Sequence, residues 1–86
     1  MANTTEEIEN IVKNFIISRF LKGDGSSLTN DTPLISGGLI DSILTMQLVV
    51  FIEENFHFEF SPHEVDKENL DSIKIITGFI QKKLNA

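Results

Sequence analysis

The sequence predicts an all-α fold: a small four-helix bundle of three main helices and one short one, with a long loop between the first two. Three observations carry that prediction. Apolar residues recur at three- and four-residue steps in separate stretches, each preceded by a capping residue. The one alternating segment, Phe56-His57-Phe58-Glu59-Phe60, has no second strand to pair with, and an isolated strand is not stable. The chain has 86 residues and no cysteine, so a single domain, 1–86, must build its core from packing without disulfides.

The first helix is expected over about 4–21. Thr4 or Thr5 caps it, Thr4 and Glu7 have the spacing of a capping box, and Glu6, Glu7 and Glu9 suit the positive end of the helix dipole. Ile8, Ile11, Val12, Phe15, Ile16 and Phe20 lie on one face. Gly23 and Gly25 end the helix. The loop, about 22–41, is rich in turn residues, among them Gly37-Gly38. A connection this long must be packed down, and Leu28, Leu34, Ile35, Leu39 and Ile40 are available to do so, with room for one short helical turn.

The second helix is expected over about 42–56, with Asp41 or Ser42 as cap. Leu44, Leu48, Phe51 and Ile52 form one apolar arc, and Ile43, Met46 and Val50 form a second stripe roughly opposite. A helix apolar on both sides is either buried all round or keeps one face for a partner. An extended link then pins Phe58 and Phe60 to the core, and Ser61-Pro62 opens a short helix over about 62–66. Asn69-Leu70-Asp71 leads into the last helix, about 72–84, capped by Asp71 or Ser72. Its face is Ile73, Ile76, Ile80 and Leu84, with Lys82 and Lys83 at the negative end of the dipole.

Composition narrows the function. With 13 acidic residues against 7 basic ones the net charge is -6, which argues against nucleic acid or an anionic membrane as partner and favours basic protein surfaces. No apolar run approaches the roughly 20 residues that span a bilayer. The acidic segment Met1–Asn10 is wrong for a signal peptide, so a cytoplasmic protein is expected. Catalytic constellations are lacking: His57 and His63 have no Ser/Asp partners and no metal-ligand spacing, and the carboxylate pairs read as solvated helix faces. No catalytic residue and no metal site are expected.

The informative stretch is Gly37-Gly38-Leu39-Ile40-Asp41-Ser42-Ile43. It sets a serine where a loop becomes a helix, a place where backbone N–H groups and the dipole favour a bound or covalently attached phosphate. Asp41 beside it can cap the helix or help hold a divalent cation on an incoming pyrophosphate. Taken by itself, the position also fits a serine that is only a helix cap.

Gly38-Leu39-Ile40-Asp41-Ser42-Ile43, followed by Leu48-Val49 and Ile52-Glu53-Glu54-Asn55-Phe56, resembles the acyl carrier protein family, including its peptidyl, polyketide and aminoacyl carrier domains. The similarity continues through Phe58-Glu59-Phe60-Ser61-Pro62 and Glu68-Asn69-Leu70-Asp71-Ser72-Ile73. The resemblance implies that Ser42 receives 4'-phosphopantetheine from coenzyme A, with Asp41 assisting. It implies a stand-alone, monomeric carrier that catalyses nothing itself and holds acyl, aminoacyl or polyketide cargo as thioesters. Its partners would be a phosphopantetheinyl transferase, a loading ligase, and synthase or transferase enzymes. Ile43, Met46 and Val50 match the family's exposed apolar positions, and Glu53 and Glu54 match acids that meet basic patches. Leu44 and Gln47 stand where fatty-acid carriers are acidic, which points to a dedicated carrier in a specialised pathway. Asp-Ser-Ile recurs at Asp71 to Ile73 without the preceding glycines, and Ser72 is read as a cap. The rival reading is an unmodified helical interaction module that uses the Ile43/Met46/Val50 face.

Overall fold

A computed structural model of the chain describes residues 4–85 other than 24 and 27. The first helix, α1 (Thr5–Phe20), begins with the expected capping box: the Glu7 N–H donates to Thr4 Oγ1 at 3.1 Å, and the Thr4 N–H donates to Glu7 Oε1 at 2.8 Å. Ile8, Val12 and Ile16 are fully buried. The helix closes where the Gly23 N–H turns back to the Ile17 carbonyl at 2.9 Å, with Gly23 at φ +88°.

The long loop is held down as expected: Leu28, Leu34 and Ile40 are buried, and Ile35 and Leu39 pack half-buried beside them. Among its described residues there are turns and bends and no helical turn. The backbone is tied to the far end of the chain, with Lys74 N–H donating to the Asn30 carbonyl at 3.0 Å and Leu34 N–H to the Asp71 carbonyl at 2.6 Å.

Helix α2 (Ser42–Phe56) buries Thr45, Leu48, Val49, Ile52 and Phe56. The buried face is therefore rotated toward Thr45 and Val49 relative to the expected arc, and Leu44 and Phe51 are only half-buried. The helix ends at His57, which adopts the left-handed conformation at φ 59°. Phe58 and Phe60 then pack with Phe79, the Phe60 and Phe79 rings stacked 4.9 Å apart.

The expected short helix near 62–66 is in fact two pieces. A 3-10 turn (Pro62–Glu64) is followed by a one-turn helix, α3 (Lys67–Leu70). The break is at Asp66, whose backbone is extended and whose carboxylate caps α3 by accepting the Asn69 N–H at 3.2 Å. The residues read as a lead-in are thus helical, and Leu70 is fully buried.

Helix α4 (Ile73–Leu84) is capped by Ser72, whose Oγ accepts the Ile75 N–H at 3.1 Å. Ile73, Ile76 and Ile80 are fully buried, each worth about 1.5–3 kcal/mol in transfer from water. Leu84, expected on the same face, is exposed at the helix end. The main packing is α1 on α4, and no helix among the described residues is long and apolar enough to cross a membrane.

One core atom is unsatisfied. Thr77 Oγ1 is buried and has no hydrogen-bond partner among the described residues. An unpaired buried hydroxyl costs about 1–3 kcal/mol. Thr77→Val keeps the shape and removes the penalty, so its thermal midpoint should rise by roughly 4–8 °C for each kcal/mol regained. An unchanged or lower midpoint in a calorimetric melt would show that the hydroxyl is satisfied.

Candidate functional site

The loop reaches α2 through a closed turn. Leu34 and Ile40 are both buried, and the Ile40 N–H donates to the Leu34 carbonyl at 3.0 Å. Between them the Gly38 N–H donates to the Ile35 carbonyl at 3.1 Å. The two glycines serve this turn in different ways. A Cβ on Gly37 would collide with the Pro33 carbonyl oxygen, and Gly38 has φ +78°, which L side chains adopt only under strain.

From Ile40 the chain turns outward. Asp41 is extended and is the N-cap of α2: its Oδ1 accepts the Leu44 N–H at 2.9 Å, and its carbonyl accepts both the Thr45 N–H at 2.8 Å and the Thr45 hydroxyl at 2.7 Å. Of the two candidate caps, the structure selects Asp41. Ser42 is the first helical residue and is exposed, and its hydroxyl has no hydrogen-bond partner among the described residues. The N–H groups of Ser42 and Ile43 also have no acceptor there, so the positive end of α2 faces outward beside the hydroxyl.

Ser42 stands between two open grooves. One, of about 660 Å³, runs along α2 past Ile43, Met46, Val50 and Glu54 to the stacked rings of Phe15 and Phe51, 3.9 Å apart. The Arg19 guanidinium lies over the Phe15 ring at 5.6 Å. The other groove, of about 520 Å³, passes Thr45 and Met46 to Ile35, Val65 and Lys67. Ile43, Met46 and Val50 are 70%, 50% and 47% exposed, an apolar stripe without cover on the side of α2 away from its core residues.

The two acids at the end of this stripe differ. Glu54 is exposed on the wall of the first groove. Glu53 is half-buried, and its Oε2 accepts the Phe60 N–H at 2.8 Å, fixing the link after α2. His57 and His63 are exposed, and among the described residues no group of three or more His, Asp or Glu is placed to hold a metal ion.

Sequence reasoning read Asp71 only as a candidate cap of the last helix. Its carboxylate reaches across the fold: Oδ1 accepts the N–H groups of Ile35 and Ser36, each at 2.8 Å, and Oδ2 accepts the Ser36 hydroxyl at 2.7 Å. These bonds, led by those from Ser36, hold its pKa below the ordinary value. Glu64 is also lowered, first by the Lys83 ammonium 2.8 Å away and then by the Ser61 N–H.

Both shifts have the same sign. A carboxylate with a depressed folded-state pKa adds stability above its ordinary pKa, and that stability is lost as pH falls through the lowered value. Thermal midpoints should hold between about pH 7 and pH 5 and fall at lower pH. Asp71→Asn should start lower and lose less over the acid range; a fall as steep as the wild type's would remove Asp71 from the account.

Comparison with known proteins bears on this site directly. The family model for the phosphopantetheine attachment site matches residues 15–77, which span the turn, α2, the link, α3 and the start of α4. A probable acyl carrier protein, PigG, from Serratia sp. (strain ATCC 39006) is 24% identical over 75 residues, 87% of this chain and 86% of that protein. A chain in the crystal structure of an FAD-dependent dehydrogenase shares the fold with a TM-score of 0.72 and 25% identity, over 80% of this chain and 97% of that one.

Proposed function

Because the chain belongs to the phosphopantetheine-attachment family, a carrier family rather than a family of enzymes, we propose that Ser42 is the residue that receives 4'-phosphopantetheine from coenzyme A. The carrying observation is the exposed Ser42 hydroxyl at the first position of α2, left free because Asp41 does the capping. The surroundings fit the group. The Ser42 and Ile43 N–H groups and the helix dipole favour the phosphate that the modification leaves on the hydroxyl. Asp41 Oδ2, without a partner among the described residues, can help hold a divalent cation on the incoming pyrophosphate while Oδ1 keeps the cap.

In the transfer, Ser42 Oγ forms a bond to phosphorus and the pyrophosphate bond of coenzyme A breaks. The nucleotide portion leaves, and the hydroxyl proton passes to a base of the transferase. The attached arm supplies a thiol, on which acyl, aminoacyl or polyketide cargo is held. Everything else is done by the chain's own surface. Ile43, Met46 and Val50 offer the apolar contact for the transferase, the loading ligase and the synthase enzymes, and Glu54 at the end of the stripe steers basic partners. Glu53 contributes to that field while its bond to Phe60 holds it in place. A tethered cargo then meets a docked enzyme at high effective concentration.

The pathway we favour is a specialised one. Leu44 and Gln47 leave the first turns of α2 without acids, and the likeness to a chain in an FAD-dependent dehydrogenase structure supports a flavin-dependent dehydrogenase among the partners. The deciding experiment is intact-mass spectrometry after incubation with coenzyme A, Mg²⁺ and a broad-specificity phosphopantetheinyl transferase. One added phosphopantetheine per chain is expected. An unchanged mass, with a control carrier modified in the same tube, would overturn the assignment.

A further inference from the structure

Resting on the carrier reading above, we propose that Asp71 is a positioning residue for the modification of Ser42, acting from the opposite end of the chain through the turn that precedes α2. The carboxylate lies 29 positions beyond Ser42 and lines neither groove itself, meeting the second only through the backbone of Ile35. Its effect is transmitted by a short series of bonds. Asp71 holds the backbone of Ile35 and Ser36 through Oδ1, the Ser36 hydroxyl through Oδ2, and the Leu34 N–H through its own carbonyl. Leu34 in turn holds the Ile40 N–H at 3.0 Å, and Ile40 is the last buried residue before the Asp41 cap.

The staple thus fixes the first end of the 34–40 turn against the α3–α4 junction, and the Leu34–Ile40 bond passes that constraint to the point at which the chain leaves the core to begin α2. The alternative, that Ser42 is placed by α2 alone, leaves the turn without a reason for three side-chain bonds to one carboxylate. Asp71 was open to a local reading as a cap of α4, but Ser72 does that work, so the Asp71 side chain serves only the loop.

The test is steady-state transfer of phosphopantetheine by a broad-specificity transferase, with the carrier concentration varied. Docking uses the stripe on α2, which the staple does not touch, so KM for Asp71→Ala should change less than about threefold. A misplaced hydroxyl costs the chemical step, so kcat should fall by about 10- to 100-fold. Asp71→Asn keeps an oxygen for the Ile35 and Ser36 N–H groups and should regain most of kcat. Ile80→Val, which loosens α4 and removes none of the Asp71 bonds, should lower the thermal midpoint and leave kcat unchanged.

Amide hydrogen exchange of Ile40 gives a readout without the transferase, and its protection should drop in Asp71→Ala and hold in Ile80→Val. If Asp71→Ala does not fold, Ser36→Ala and Asp71→Asn take its place: kcat should fall from wild type through Asp71→Asn to Ser36→Ala while Ile80→Val stays at the wild-type value, and wild-type kcat in a folded Ser36→Ala defeats the proposal. Wild-type kcat in a folded Asp71→Ala, or an equal fall in Ile80→Val, defeats the proposal. Failure of the wild-type chain to take any phosphopantetheine is a failure of the carrier reading, and Ile40 exchange then still decides whether Asp71 sets the turn.

Discussion

Ser42→Ala should abolish the gain of one phosphopantetheine completely, and Ser72→Ala should leave it intact. The two serines stand in near-identical local sequence, Asp41-Ser42-Ile43 and Asp71-Ser72-Ile73, and the fold gives them opposite duties. Ser42 is exposed at the first position of α2 because Asp41 has taken the cap. Ser72 is itself the cap of α4, is 7% exposed, and spends its hydroxyl on the Ile75 N–H. The stability changes should run the other way. Ser42→Ala removes a hydroxyl without a partner and should leave the thermal midpoint nearly unchanged. Ser72→Ala loses a cap bond and should cost about 1 kcal/mol, or roughly 4–8 °C. Intact mass and calorimetry on the two variants check all four outcomes. Modification surviving in Ser42→Ala would move the attachment site to another residue.

The second large effect is expected at the glycine pair. Gly37→Ala puts a Cβ against the Pro33 carbonyl oxygen, a backbone atom that cannot swing aside as a flexible side chain can. Gly38→Ala meets open space but must hold φ +78°, at a cost of about 1–2 kcal/mol. Gly38→Ala should therefore lower the midpoint by roughly 5–15 °C, and Gly37→Ala by more. Gly38→Asn should be milder than Gly38→Ala, because Asn tolerates the left-handed region, whereas Gly37→Asn should gain nothing over Gly37→Ala. Thermal melts of the four variants separate a steric requirement from a conformational one. Equal midpoints for Gly37→Ala and the wild type would mean that the turn gives way easily.

Much of this architecture was legible because it is written in short-range rules. Thr4 and Glu7 announce α1 three residues apart, Ile73, Ile76 and Ile80 announce the face of α4, and Gly37-Gly38 before Asp41-Ser42 announces a turn into a helix. Less legible was the short helical region, because Asp66 starts a second helix where one was expected to have ended, and the two pieces have only three and four residues. The precise face of α2 was also hard to read, since a helix apolar on both sides gives its periodicity little contrast.

Asp71 was out of reach for a different reason. Its partners Ile35 and Ser36 lie 36 and 35 positions away, and its neighbours offered a sufficient local role as a cap. Nothing in the spacing distinguishes a carboxylate that closes its own helix from one that holds a distant backbone. Glu53 is a similar case: from sequence it pairs with Glu54, and in the fold it holds the Phe60 N–H.

Helix α2 divides its labour by side. Leu48, Val49, Ile52 and Phe56 hold the domain together, while Ile43, Met46 and Val50 are exposed on the outward side. Replacements on the outward side therefore cost little folding energy, commonly within about 0.5 kcal/mol for surface positions. If Ser42 carries the arm as proposed, customer preference can drift freely on such a scaffold: a lineage can trade one client enzyme for another by changing a few residues while the foundation stays as it is.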